Sequence, residues 1–132
     1  MAAVYRRVLA VLGGLAAAAA FLRVAGVRRY VVEGRSMLQA FAPGDRVLVE
    51  DLTYRLRAPR VGDVVVVERD GRLDLKRVAA APGASVTVRG EPDFLAHDEW
   101  FVLGDNLSES TDSRELGPVK RHDIVGRAWF RY

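Results

Sequence analysis

The order of hydrophobic and polar positions divides the chain into an apolar amino-terminal segment and a longer segment with strand-like patterning. Residues 8–22 carry no charge over 15 positions, and the apolar stretch reaches Val27 if Arg23 is tolerated within it. A helix of 15 residues is roughly 22 Å long, and one of 20 residues is roughly 30 Å long. The pattern therefore predicts a single N-terminal helix, about as long as the bilayer core is thick.

Two interpretations of this helix remain open. We favour an uncleaved transmembrane anchor, in which Arg23 extends its side chain to the lipid head groups. A cleaved signal peptide also fits, because an Arg-Arg start precedes the apolar run and residues 16–20 are all alanine. Basic residues flank the run on both sides, so the charges do not decide its orientation.

From Tyr30 onward the pattern becomes that of β-strands. Runs of β-branched or apolar residues that predict strands occupy residues 30–33, 46–51, 63–68, 72–79, 85–88, 100–103 and 124–130. Four consecutive valines at 64–67 indicate a strand buried on both faces. Asp70-Gly71 is a strong hairpin signal between two such runs.

These patterns predict a mainly β fold, in which an N-terminal transmembrane helix is followed by a compact, mostly antiparallel β domain. Residues 104–118 are polar and lack periodicity, so they are predicted to form a loop. We expect residues 1–29 to form the membrane anchor with its basic flanks. Residues 30–132 would form the folded domain.

Composition and charge exclude several function classes. The 132 residues include 20 basic and 17 acidic ones, but residues 1–29 hold five arginines and no acid. The remainder has a small negative charge, which does not support a nucleic-acid-binding face. The absence of cysteine excludes a disulfide framework, a thiol nucleophile and a zinc ribbon. The chain has two histidines, His97 and His122, which lie in polar stretches and are predicted at the surface, so a metal site is not expected.

Lysine usage is informative, since the chain has 18 arginines but only two lysines, Lys76 and Lys120. Lysine, unlike arginine, can lose its proton when it is buried. An ordinary lysine is neutral in only about one molecule in a thousand near pH 7.4, and burial raises that fraction. Lys76 lies in an apolar strand and is therefore a candidate general base. An edge-strand lysine that faces water is the alternative.

A general base needs a nucleophile, and Ser36 is the candidate. It follows a β run and Gly34, whose lack of a side chain would let a substrate backbone approach closely. The surrounding sequence lacks the second glycine of a nucleophile elbow. A purely structural serine is the alternative, but serine and lysine together form a known activated nucleophile.

Four segments resemble, in order, the conserved boxes of the bacterial signal peptidase I family, whose members are membrane-anchored serine–lysine peptidases. They are Val32-Glu33-Gly34-Arg35-Ser36-Met37, then Pro43-Gly44-Asp45-Arg46-Val47-Leu48-Val49, then Leu75-Lys76-Arg77-Val78 with Pro82-Gly83, and finally Gly104-Asp105-Asn106 with Ser110-Thr111-Asp112-Ser113-Arg114 and Gly117-Pro118-Val119. Each box alone is a weak signal. Together with an N-terminal membrane segment they are highly specific.

The resemblance implies a role for each matching residue. Ser36 would be the acylating nucleophile, its backbone N–H an oxyanion donor, and Lys76 its general base. Gly34 stands where some members place a second oxyanion donor, a serine hydroxyl that glycine cannot supply. Ser110 would orient the Lys76 amine. Asp112 and Arg114 would form an ion pair beneath the site. A shallow pocket for a small substrate side chain would be lined by Val32, Met37 and Leu75.

The chain departs from the family pattern at four positions near these boxes. Gln39 and Ala40 replace a proline and a threonine, Leu107 replaces an arginine, and Glu109 replaces an asparagine. The accessory β domain of larger members is reduced to a hairpin around residues 89–93. These departures leave the dyad intact and bear on how the substrate is positioned.

The implied function is a membrane-bound serine endopeptidase that removes N-terminal signal peptides from exported preproteins with small residues near the cleavage site. The family resemblance places it in the bacterial cell membrane as a single-pass protein, with an extracytoplasmic catalytic domain and no cofactor. Alternatives are a specialised maturation peptidase with few clients, for example in the processing of nickel-type superoxide dismutase, and a catalytically silent, membrane-tethered peptide-binding module. A self-cleaving repressor-type serine–lysine domain fits less well, because no DNA-binding module precedes Ser36.

Overall fold

The N-terminal segment is a single long helix. A computed structural model of the chain describes residues 1–24 and 26–132. Helix α1 (Ala2–Val24) has 23 residues, which corresponds to about 34 Å, and none of them is buried against the rest of the protein. Within the described residues, it is the one helix long and apolar enough to cross a membrane. The predicted helix is confirmed, and it begins before the arginine pair at positions 6 and 7.

The rest of the described chain is dominated by strands. They are β1 (Arg28–Val31), β2 (Arg46–Glu50), β3 (Val64–Arg69), β4 (Arg72–Ala80), β5 (Ser85–Val88), β6 (Glu91–Phe94), β7 (Glu99–Leu103), β8 (Val119–Lys120) and β9 (Ile124–Arg131). Two short helices, α2 (Leu52–Leu56) and α3 (Ser113–Leu116), and 3₁₀ turns at 107–109 and 121–123 lie between them.

Seven strands form one sheet in the order β1-β2-β9-β3-β4-β7-β8, while β5 and β6 form a separate hairpin. Each of these pairings is antiparallel. Asp70 and Gly71 both have positive φ, which the tight turn between β3 and β4 requires. The predicted fold class, an apolar N-terminal helix followed by an antiparallel sheet-rich domain, is confirmed.

The sheet is buried on both faces, as the valine run predicted. Val65 and Val67 belong to one hydrophobic cluster, with Tyr54 and Trp100. Val66 belongs to the other, with Met37 and Leu75. Because successive side chains of a strand point to opposite faces, β3 contributes to both clusters and holds the two halves of the core together.

The structure differs from the predicted elements in several places. Strand β1 begins at Arg28 rather than Tyr30, and part of the predicted 104–118 loop is helix α3. Helix α2 starts where the Glu50 carboxylate accepts a hydrogen bond from the Thr53 N–H, at 2.8 Å, a local signal that apolar periodicity does not reveal. All four residues of strand β6 are exposed and one of them is Pro92, so the strand has no alternation of apolar and polar residues. The hairpin of β5 and β6 turns at residues 89 and 90, where the reduced accessory region was expected.

The boundary between residues 29 and 30 stays a prediction, although the chain changes from helix to sheet between Val24 and Arg28. His97 and His122 are both exposed, which confirms their predicted surface position.

Candidate active site

An open groove of about 960 Å³ lies where the segment after β1, the β3–β4 hairpin and the chain around residues 109–116 meet. Its lining includes Gly34, Ser36, Asp74, Lys76 and Glu109. The fold therefore brings together residues that are up to 87 positions apart in sequence, from Arg29 to Leu116.

Lys76 supplies the buried amine of this groove. It lies in the middle of β4, and only 4% of its surface is exposed. Its Nζ donates a hydrogen bond to the Ser110 Oγ at 3.3 Å, and the Ser110 hydroxyl donates in turn to the Asp112 Oδ2 at 2.7 Å. This chain of hydrogen bonds fixes the position of the amine at the end of a flexible side chain.

The environment of Lys76 lowers the pKa of its amine. Burial lowers the pKa of the Lys76 amine below its ordinary value of 10.5, because a charged amine loses its hydration there. The negative charges of Asp74 and Asp112 oppose this shift without cancelling it. The amine is therefore a stronger candidate for a general base than an exposed lysine would be.

Asp112 is a buried carboxylate with several donors. Its side chain is inaccessible to solvent and accepts hydrogen bonds from the Arg114 Nε at 2.9 Å and the Gly104 N–H at 3.0 Å. Burial by itself would raise the pKa of Asp112, but these bonds and that from Ser110 stabilise the anion, so the pKa lies below its ordinary value. The charged carboxylate thus holds Ser110, Arg114 and the end of β7 together.

Ser36 lies in a turn between β1 and β2 and is half-buried. Its carbonyl oxygen accepts a hydrogen bond from the Asn106 N–H at 2.8 Å. A Cβ on Gly104 would lie 2.6 Å from that oxygen and would collide with the Ser110 side chain, so glycine is needed at this crossing. Ser36 and Lys76 line the same groove, and the Lys76 amine donates its hydrogen bond to Ser110.

A bidentate ion pair joins the strand of Lys76 to the following loop. The Arg77 Nε and Nη2 each donate to a carboxylate oxygen of Asp105 at 2.8 Å, and its Nη1 donates to the Gly62 carbonyl. Arg77 follows Lys76, and Asp105 precedes Asn106. This pair therefore fixes β4 relative to the loop that contacts Ser36.

The three residues assigned to a substrate pocket lie together in the core. Val32, Met37 and Leu75 are at most 3% exposed and share one hydrophobic cluster with Val47, Val49 and Val66. Their sequence neighbours Glu33, Ser36 and Lys76 line the groove, whereas Val32, Met37 and Leu75 themselves do not. Their role in binding substrate stays a prediction.

Two groups near Ser36 were not assigned roles from the sequence. Asn106 and Glu109 are hydrogen-bonded to each other and to Arg35, the residue before Ser36. The one sequence feature that could have drawn attention to this pair is that Asn106 is the only asparagine in the chain.

Gly34, with a φ of +70°, lines the groove and has open space where a Cβ would lie. Within residues 1–24 and 26–132, no cluster of three or more histidine or acidic residues could hold a metal ion.

Comparison with known proteins gives matches over most of the chain. Residues 5–93 and 90–132 match the family described as signal peptidase, peptidase S26. Signal peptidase I of Leptolyngbya laminosa is 32% identical over 145 residues, covering 81% of this chain and 71% of the relative. Signal peptidase I of Bacillus caldolyticus is 30% identical over 151 residues, covering 86% and 83%. Thylakoidal processing peptidase 1 of Arabidopsis thaliana is 30% identical over 137 residues, covering 76% of this chain but only 40% of that longer protein.

Proposed function

The chain belongs to the signal peptidase family, peptidase S26, and from this premise we propose that it is a membrane-bound serine endopeptidase with a Ser36–Lys76 dyad. Membership of the family supports the removal of signal peptides from preproteins by a serine peptidase. The observation that carries the dyad is the buried Lys76 amine, which lines the same groove as Ser36 and is held by Ser110.

The reaction would proceed by acylation and deacylation. The Ser36 Oγ attacks the scissile carbonyl carbon while the neutral Lys76 amine takes its proton. The backbone N–H of Ser36 stabilises the oxyanion. Lys76 then returns the proton to the leaving amine, which departs. Finally Lys76 deprotonates a water molecule that attacks the acyl-enzyme carbonyl, and it passes that proton to the Ser36 Oγ as the signal peptide is released.

The membrane would hold the enzyme and its substrate together. The family match begins at residue 5 and so includes most of α1, which is long enough to span a bilayer. We propose that α1 is a single-pass anchor in the bacterial cell membrane and that the β domain is extracytoplasmic. A preprotein confined to the same bilayer would meet the groove at a raised effective concentration. It would dock as an extended strand with small residues near the scissile bond.

The proposal predicts an unusual pH dependence. Only the neutral amine can accept the Ser36 proton, so kcat/KM should rise with pH and level off above the pKa of Lys76 in the free enzyme. Because burial lowers that pKa, the midpoint should lie below 10.5. The negative charge of Asp74 raises the pKa of Lys76, so Asp74→Asn should move the midpoint to still lower pH. The pH profile of peptide cleavage measures both, and a midpoint that moves upward in Asp74→Asn would contradict the assignment.

Cleavage of a test preprotein checks the function itself. The purified full chain in liposomes should cleave a preprotein with alanine at positions −3 and −1 at the bond after the −1 residue. A substrate with phenylalanine at −1 should be cut poorly, since only a shallow pocket is proposed. Terminal sequencing of the product identifies the bond, and a Ser36→Ala preparation gives the background.

The departures at Gln39, Ala40, Leu107 and Glu109 leave a second candidate, a maturation peptidase dedicated to few clients. Failure to cleave the test preprotein, with covalent labelling of Ser36 by a serine-reactive acylating inhibitor, would favour that candidate. Failure of both cleavage and labelling would favour a silent, membrane-tethered peptide-binding module and would overturn the proposed dyad.

A further inference from the structure

Asn106 contacts the Ser36 loop through both its backbone and its side chain. Its backbone N–H donates to the Ser36 carbonyl oxygen at 2.8 Å. Its side-chain Nδ2 donates to the carbonyl oxygen of Arg35 at 3.1 Å. The second contact is the informative one, because it reaches the peptide group that precedes Ser36.

The carbonyl of Arg35 and the N–H of Ser36 belong to one planar trans peptide group. In such a group the C=O and N–H bonds point in opposite directions, so a contact that fixes the carbonyl also fixes the direction of the N–H. The Arg35 carbonyl oxygen accepts two hydrogen bonds, from Asn106 and from the Leu38 N–H at 3.2 Å. The Ser36 N–H has no acceptor among the described residues, and a substrate oxyanion could therefore take that place.

Glu109 fixes the orientation of the Asn106 amide. Its Oε2 accepts from the Asn106 Nδ2 at 2.6 Å and from the Arg35 Nε at 3.1 Å. The two hydrogens of the Asn106 amide are thus both used, one on Arg35 and one on Glu109. A carboxylate acceptor makes the hydrogen bond short and strong. The Ser108 hydroxyl donates to the Asn106 Oδ1 at 3.3 Å, which agrees with this orientation of the amide.

We propose that Asn106 is a positioning residue for the oxyanion hole, and that Glu109 holds its amide in place. Asn106 fixes the peptide group between Arg35 and Ser36, so that the Ser36 N–H is directed at the oxyanion before the substrate binds. The inference rests on the proposed function, in which Ser36 is the nucleophile. Glu109 stands where asparagine is common in the family, so the carboxylate in this arrangement is a feature of this chain.

Asn106→Ala and Asn106→Asp test the proposal, because both remove the side-chain donor and leave the backbone bond to Ser36 intact. We expect kcat for peptide cleavage to fall about tenfold with KM nearly unchanged, since the Leu38 N–H still holds the Arg35 carbonyl in part. Glu109→Gln keeps an acceptor but loses the charge, and should lower kcat by about two- to threefold. Glu91→Gln, the same change at an exposed position on β6, is the matched control and should behave as wild type.

Binding of a substrate-like peptide aldehyde separates positioning from general damage to the structure. The Ser36 oxygen adds to the aldehyde carbon, its proton passes to Lys76, and the resulting hemiacetal oxyanion occupies the oxyanion hole. Affinity for the aldehyde should fall in each Asn106 variant by the same factor as kcat. Affinity for the corresponding peptide alcohol, which forms no oxyanion, should not change.

The proposal is overturned if the Asn106 and Glu109 variants bind the aldehyde as tightly as wild type does, or if only KM changes. A parallel loss for the aldehyde and the alcohol would also overturn it, since that pattern indicates a damaged groove. If wild type neither cleaves the peptide nor binds the aldehyde, the proposed function itself has failed. Thermal melting identifies any variant that is unfolded at the assay temperature. If the Asn106 variants are unfolded, Glu109→Gln is used to test the proposal.

Discussion

Replacement of Lys76 by arginine is expected to lower kcat/KM for preprotein cleavage by a factor of about 10³ to 10⁴, although the positive charge is kept. Arginine does not lose its proton in proteins, so it cannot accept one from Ser36. Lys76→Met should be equally inactive. The methionine side chain is similar in length to that of lysine but carries no charge. Its inactivity would show that the loss of activity in Lys76→Arg does not come from placing a larger cation at a buried position.

The chain contains its own control for this experiment, because it has only one other lysine. Lys120 lies on β8, is exposed and approaches Asp98 at 3.8 Å, so Lys120→Arg should leave cleavage unchanged. Initial rates over a range of substrate concentrations, with thermal melting of each variant, provide the comparison. Near-normal activity in a folded Lys76→Arg protein would eliminate the general-base role.

The fold was predictable from the sequence wherever a short stretch of chain carries its own signal. The apolar run, the valine strand β3 and the Asp70-Gly71 turn each carry a signal that depends only on neighbouring residues. Strand β6 and the two-residue β8 were not predictable, because exposed or very short strands are set by their pairing partners and not by their own periodicity. At the start of helix α2 the Glu50 carboxylate accepts a hydrogen bond from the Thr53 N–H, a contact that apolar periodicity does not indicate.

The site divides in a similar way. Lys76 could be predicted as a candidate general base because lysine is rare in this chain and this one lies in an apolar strand. Burial of its side chain explains its lowered pKa. The contacts of Asn106 and Glu109 with the peptide group before Ser36 were not predictable, because they join residues some 70 positions apart. Glu109 appeared in the sequence only as a departure from the family, and the structure shows that it forms hydrogen bonds beside Ser36.

Ser36→Ala is expected to reduce cleavage by a factor of about 10⁴ or more, because alanine has no oxygen with which to attack the scissile carbonyl. The alanine side chain lacks only the hydroxyl, so the turn, the backbone N–H and the contact with Asn106 should persist. Preprotein binding should therefore survive while turnover is lost. Ser85→Ala, at an exposed position on β5, is the matched control and should cleave as wild type.

The double variant Ser36→Ala/Lys76→Arg tests whether the two residues act as one unit. If Lys76 works only by taking the proton of Ser36, its loss costs nothing further once the hydroxyl is gone, so the double variant should be no slower than Ser36→Ala alone. Independent roles would instead make the two losses multiply. Single-turnover cleavage at high enzyme concentration can measure these low rates, and multiplied losses would contradict the dyad even if both single variants were inactive in an ordinary assay.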